Sequence, residues 1–156
     1  RMKERIVSQM LPDPHMFTIA TLTGHAALAV GPGYTIAFDN VVASKEKYAQ
    51  KLQAIGTAFG EPIEISTLRP EDFEFVDGQV QGEDVVQCNN APSSRTPRGH
   101  QIPMAFLMRA TGLLKHGIKS KNPIKYTHLD IAGSAGQYPK MPTAAPIIAL
   151  AKTHLY

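Results

Sequence analysis

The 156-residue chain has one cysteine, Cys88, and no tryptophan. A single thiol excludes an intrachain disulfide framework and leaves no thiolate set for a structural zinc; it fits a reducing compartment. No apolar run approaches the ~20 residues that a membrane-spanning helix needs. Charge is sparse too, with 19% of residues Asp, Glu, Lys or Arg and a net charge of +3. The basic residues are scattered, so the dense stripe of a nucleic-acid-binding face is missing. A pI near 9.0 is the one feature pointing to nucleic acid, and no such partner is expected. Hydrophobic residues make up 43% of the chain, which excludes wholesale disorder. The length suits one domain with its own core. The opening residues, Arg1-Met2-Lys3-Glu4-Arg5, have neither an initiator methionine nor the pattern of a secretory signal. The expectation is a segment of a longer protein, with apolar surface left exposed and a tendency to self-associate.

What is present reads as alternating helices and strands. Met2, Ile6 and Met10 predict a first helix with one apolar face, stopped by Pro12 and Pro14. Met16 to Thr21 reads as a buried strand, His25 to Val30 as a small-residue helix, and Tyr34 to Phe38 as a second strand ending in an Asp39-Asn40 turn. Tyr48, Leu52, Ile55 and Phe59 give the clearest helical spacing, closed by Gly60 and Pro62. Ile63 to Ile65 suggests a brief strand. Glu71 to Cys88 reads as irregular, with a helical turn near Asp84 to Gln87, and Asn89 to Gly99 as a loop. A helix is predicted from Ile102 to Gly117 with a stripe of Phe106, Ala110 and Leu113, then a strand from Tyr126 to Ile131, and a final helix capped by Thr143. The pattern predicts an α/β fold of three layers, a central mixed and mostly parallel sheet flanked by helices.

Two strand-to-loop corners stand out, Ile19-Ala20-Thr21-Leu22-Thr23-Gly24 and His128-Leu129-Asp130-Ile131-Ala132-Gly133. Both put small residues just past the carboxyl end of a strand, the edge where open α/β sheets bind ligands. Small residues let a ligand approach the backbone, and threonine hydroxyls can orient it. Glycines at such corners also serve close helix–sheet packing.

The two words, ATLTG followed by a small-residue helix and HLDIAG about a hundred residues later, resemble the C-terminal part of the leucyl aminopeptidase family, the cytosolic two-metal exopeptidases. The likeness spans nearly the whole chain and is nearest to a divergent branch, given Gln87-Cys88-Asn89-Asn90 and the polar loop after it. The resemblance implies a partial catalytic domain, residues 1–156, from an enzyme that removes N-terminal residues from peptides. It also implies a cytoplasmic homo-oligomer, usually a hexamer, and two divalent ions (zinc, manganese or magnesium) in the intact parent. The family's ligand word, Asn-Thr-Asp-Ala-Glu-Gly-Arg, is absent here, as are its separate lysine and aspartate ligands. No catalytic residue and no bound metal are therefore expected in this chain alone. By resemblance, Thr21, Leu22, Thr23 and Gly24 line the substrate pocket, with Ala132 and Ala135 on its far wall. The family's Thr-Gly-Arg-Pro word is replaced by Pro142-Thr143-Ala144-Ala145-Pro146, which puts helix entry and the hexamer contact in doubt. The alternative is a non-catalytic oligomerisation or scaffold module derived from a peptidase.

Other candidates read as structural. His128 and Asp130, at i and i+2, share a strand face that could hold a metal, but hydrogen bonding to nearby loops is the favoured role. Cys88 with His100 lacks the spacing of a nucleophile and base and reads as a buried cysteine. Arg95, Arg98 and His100 could take an anion or line a subunit contact. His25 reads as a surface histidine at a helix start. The acidic stretch Glu71, Asp72, Glu74, Asp77, Glu83 and Asp84 reads as solvated surface.

Overall fold

The computed structural model describes residues 1–156. Four strands, β1 (His15–Ala20), β2 (Thr35–Asp39), β3 (Ile63–Ile65) and β4 (Lys125–Asp130), form one sheet in the order β1-β4-β2-β3. β4 runs parallel to β1 and antiparallel to β2, and β2 runs parallel to β3. The sheet is thus mixed and mostly parallel, as the sequence suggests. Every residue of β4 is buried, as a central strand requires.

Alternation along the strands splits the core between two faces. On one, Ile36, Phe38 and Tyr126 meet Ala26, Met104 and Met108. Those last three come from α2 (Gly24–Val30) and α6 (Ile102–Ala110); Ile6 and Val7 of α1 (Met2–Ser8) pack against the same cluster. On the other, Ala37 and Leu129 meet Ala43, Leu52 and Ala149 from α3 (Val41–Lys45), α4 (Tyr48–Ala58) and α7 (Ile147–His154). Helix, sheet and helix make three layers.

Several local elements depart from the sequence expectation, each for a nearby reason. Asn40 does not merely turn. Its Oδ1 caps α3 at Ala43 N (3.0 Å) and also accepts from Tyr126 N (3.1 Å), while its Nδ2 donates to Ile124 O (2.9 Å). Lys47, in a left-handed conformation at φ 53°, separates α3 from α4. The acidic stretch contains a helix, α5 (Pro70–Phe75), started by proline and by Asp72 reaching back to Arg69 N. The turn expected at Asp84 to Gln87 is instead a bridge between Asp77 and Val85. α6 stops at Ala110 because Gly112 turns left-handed, and a 3₁₀ turn follows over Leu113–His116. Its buried stripe is Ile102, Met104, Ala105 and Met108 rather than Phe106 and Ala110. α7 begins after Pro146, and Thr143 bonds the Ser134 carbonyl instead of capping it. Met2, in α1, and Met10, beyond its end, are both exposed.

Candidate functional site

The two corners meet on one carboxylate. Asp130, fully buried at the end of β4, accepts Leu22 N (3.2 Å) and Ala132 N (3.0 Å) on Oδ1, and Thr23 Oγ1 (2.7 Å) on Oδ2. The same Thr23 oxygen accepts from Ala26 N at 3.2 Å and so caps α2. Ile131 N donates to Ala20 O at 2.9 Å, extending the β1–β4 ladder into both loops. Gly133 closes the junction from the other side. Its Cα lies so close to the turn after α2 that a Cβ there would sit 2.8 Å from Tyr34 O and 3.0 Å from Gly31 O.

Beside this junction is a cavity of about 640 Å³ on the α2–α6 face of the sheet. Leu22 and Thr23 form its upper rim, Thr18 and His128 belong to its strand wall, and Phe75, Phe106 and Leu107 supply apolar surface. Residues 87–99 cross its mouth, contributing Cys88, Asn89, Ser93, Thr96 and Gly99. Cys88 lines the cavity and is exposed, not buried as the sequence suggests. Thr21 and Gly24 are exposed on the corner, and Ala132 and Ala135 are half-buried in the opposite loop. These four lie outside the cavity lining, whereas Leu22 and Thr23 lie in it.

A polar relay runs along the strand wall. Thr18 Oγ1 lies 2.7 Å from both Tyr126 OH and His128 Nδ1. Burial pushes the Tyr126 hydroxyl up to about 12 and lowers the pKa of His128, so both are neutral at pH 7. His128 Nε2 is buried without a partner. Asp130 has its oxygens occupied, and no further ligands gather round His128 and Asp130 to make a metal site.

The crossing loop is clasped to the body at three points. Gly24 N donates to Ser93 Oγ at 3.1 Å. Arg98 grips the buried Asp72 through Nε (2.6 Å) and Nη2 (2.8 Å), so it is not free for an anion, and Asp72 is not solvated surface. His25 is no lone surface histidine: its Nδ1 lies 2.6 Å from His100 Nδ1, with ring centres 4.8 Å apart and planes within 26°. The centre separation is near the nitrogen distance plus two ring radii, so the nitrogens face each other head on. Burial, with the His25 ring next, pushes His100 down to about 4. Its Nε2 reaches Ser66 Oγ at 3.1 Å. Close packing is also evident at Gly99, where a Cβ would fall 2.2 Å from Ser93 O. Sequence reasoning missed this clasp and the cavity it bounds, because partners 69 or 75 residues apart leave no periodic signal.

A sequence profile of the cytosol aminopeptidase family's catalytic domain matches residues 6–151. The chain belongs to the cytosol aminopeptidase family. Among curated relatives, the Caenorhabditis elegans protein named "Putative aminopeptidase W07G4.4" is 44% identical over 138 residues, which is 88% of this chain and 26% of that protein. Among solved structures, a tomato leucine aminopeptidase mutant superposes with a TM-score of 0.63 at 18% identity, covering 95% of this chain and 25% of that one. The chain therefore has the leucine aminopeptidase fold and spans about a quarter of the length of the relatives it matches. No helix is long and apolar enough to cross a membrane. No three His, Cys, Asp or Glu side chains converge on a point where they could hold a metal ion.

Proposed function

We propose that this chain is the C-terminal part of a metal-dependent aminopeptidase that releases N-terminal residues from peptides, and that it supplies substrate-pocket wall but no metal ligand. The observation that supports this is the junction of the two small-residue corners on the Asp130 carboxylate, beside an open cavity. Thr21, Leu22, Thr23 and Gly24 lie on the near side of the peptide, and Ala132 and Ala135 on the far side. Asp130 occupies the Leu22 N–H and the Thr23 hydroxyl, which keeps the corner from shifting when a peptide lies against it.

In such an enzyme two divalent ions, zinc with manganese or magnesium as substitutes, would supply Lewis-acid chemistry. The residues here do not form a ligand set for them. Their ligands belong to a part of the protein outside this chain. The intact enzyme acts in the cytoplasm as a homo-oligomer, a hexamer in the family.

The test is cleavage of Leu-p-nitroanilide with added Zn²⁺ or Mn²⁺. This chain alone gives no metal-dependent turnover, and the full-length protein does. Turnover by the chain alone overturns the ligand assignment. A full-length protein that is inactive, or lacks the lysine, aspartate and glutamate ligands upstream, overturns the enzyme reading and leaves the oligomerisation or scaffold module in its place.

A further inference from the structure

We propose that the loop of residues 87–99 is an acid-released flap over the cavity, latched by the His25–His100 pair. The proposal does not depend on what the cavity holds, since it concerns the chain that crosses its mouth. The loop is fastened at both ends. Val86 N donates to Val76 O at 2.9 Å just before it, and Arg98 grips Asp72 at its close. Neither fastening contains a histidine. Between them the loop meets α2. Gly24 N donates to Ser93 Oγ, and the Ser93–Arg95 turn packs on the helix. His25 sits so close to Gly99 that a Cβ there would fall 3.1 Å from the His25 Cβ. Whatever displaces the His25 ring therefore loosens the loop from α2.

Two ring nitrogens 2.6 Å apart need one N–H and one lone pair between them. The pair meets this requirement until both rings are protonated. Two N–H groups and two positive charges then face each other, and the contact turns repulsive. The nearby carboxylates are not free to relieve it. Asp130 of β4 is held by the corner and Asp72 of α5 by Arg98, and Arg98 itself adds positive charge beside His100. His128 of β4 shares the Phe38 ring with His100, at 5.6 and 5.7 Å between centres, and supplies no anion. The remaining polar neighbours are neutral: Ser66 Oγ, 3.1 Å from His100 Nε2, and Gln101, whose Nε2 donates to the same Ser66 oxygen. Burial, with the His25 ring next, holds His100 down at about 4 while the loop is closed. Opening wets the ring and returns it toward the usual value of about 6.5. Acid therefore favours the open loop, by up to about tenfold per pH unit across that range.

The test is amide hydrogen exchange of the full-length protein at pH 7 and pH 5, with rates corrected for the intrinsic effect of pH. The reporters are the amides of Ala91, Arg95 and Thr96, which donate within the loop to Asn89 Oδ1, Pro92 O and Ser93 O. Their protection falls at least fivefold from pH 7 to pH 5. The fall does not depend on urea below the unfolding midpoint, the mark of a local opening. His100→Gln removes the ring that burial keeps unprotonated, and the fall disappears, whether the loop is held or loose in that variant. His25→Gln replaces the repelling ring by an acceptor for the His100 Nδ1–H and cuts the fall by at least half. His15→Gln, beside Phe17 and Tyr48 on the opposite face of the sheet, leaves it intact. Equal protection of the wild-type loop at both pH values overturns the proposal. So does a fall that grows with urea in step with the Leu129 amide of β4, which reports global unfolding, and so does a fall in His25→Gln as large as in the wild type.

Discussion

Thr23 Oγ1 donates a 2.7 Å hydrogen bond to Asp130 Oδ2 across 107 residues of sequence. That bond, with the two backbone amides on Oδ1, makes a single carboxylate the shared anchor of both small-residue corners. The carboxylate is fully buried and meets three donors, so its charge is spread over hydrogen bonds rather than paired with a cation.

Asp130→Ala strands two backbone amides and a hydroxyl at once. The expected loss is about 2–4 kcal/mol of folding stability, read as a lower urea midpoint at unchanged slope. Asp130→Asn keeps an oxygen for Leu22 and Ala132 but turns an amide toward Thr23, so its loss is smaller, about 1–2 kcal/mol. Equal stability of the alanine variant and the wild type would refute the anchor role.

Acid weakens the fold through histidines buried in neutral form. Burial pushes His15 and His100 down to about 4 and lowers His128 as well. Between about pH 6.5, the usual histidine value, and about pH 4, the unfolded chain takes up protons that the folded chain refuses. Stability from these groups is therefore complete above about pH 6.5 and is lost as pH falls toward 4. Asp39, raised by burial, works in the opposite direction. Urea midpoints at pH 7 and pH 5 should drop clearly for the wild type and less for His100→Gln, which also dissolves the clasp to His25. A flat midpoint over this range would contradict the assignment.

The outer edge of β1 has no strand partner, and Ile19 on it is 46% exposed. Tyr138, Met141 and Tyr156 add apolar surface elsewhere. An open edge with apolar side chains favours pairing between chains. Sedimentation at low micromolar concentration should show species larger than 17.0 kDa. Ile19→Lys should shift the distribution toward monomer. A monomeric wild type, with no binding of a hydrophobic dye, would count against this.

The layered α/β plan was legible because β-branched runs and four-residue apolar spacing mark strands and helices locally, as at Ile63 to Ile65 and Tyr48 to Phe59. Both corners were legible because small residues just past a strand's carboxyl end mark the edge where open α/β sheets bind ligands. What stayed hidden depends on distant partners. The acidic stretch gives no sign that Asp72 is buried, since the reason is Arg98, 26 residues later. The head-on pairing of His25 with His100 is hidden for the same reason. Phe106 looked like core by spacing; tertiary packing turned Met104 and Met108 inward instead and left Phe106 to the cavity.

The strand at the middle of the sheet, β4, is made after every other strand has emerged from the ribosome. Until residue 130 is translated, β1 has no strand beside it and the β2–β3 pair has no link to it. This unit must then condense only once residue 130 is available, and a chain cut short before Lys125 should be a substrate for chaperones and proteases instead of a smaller folded protein.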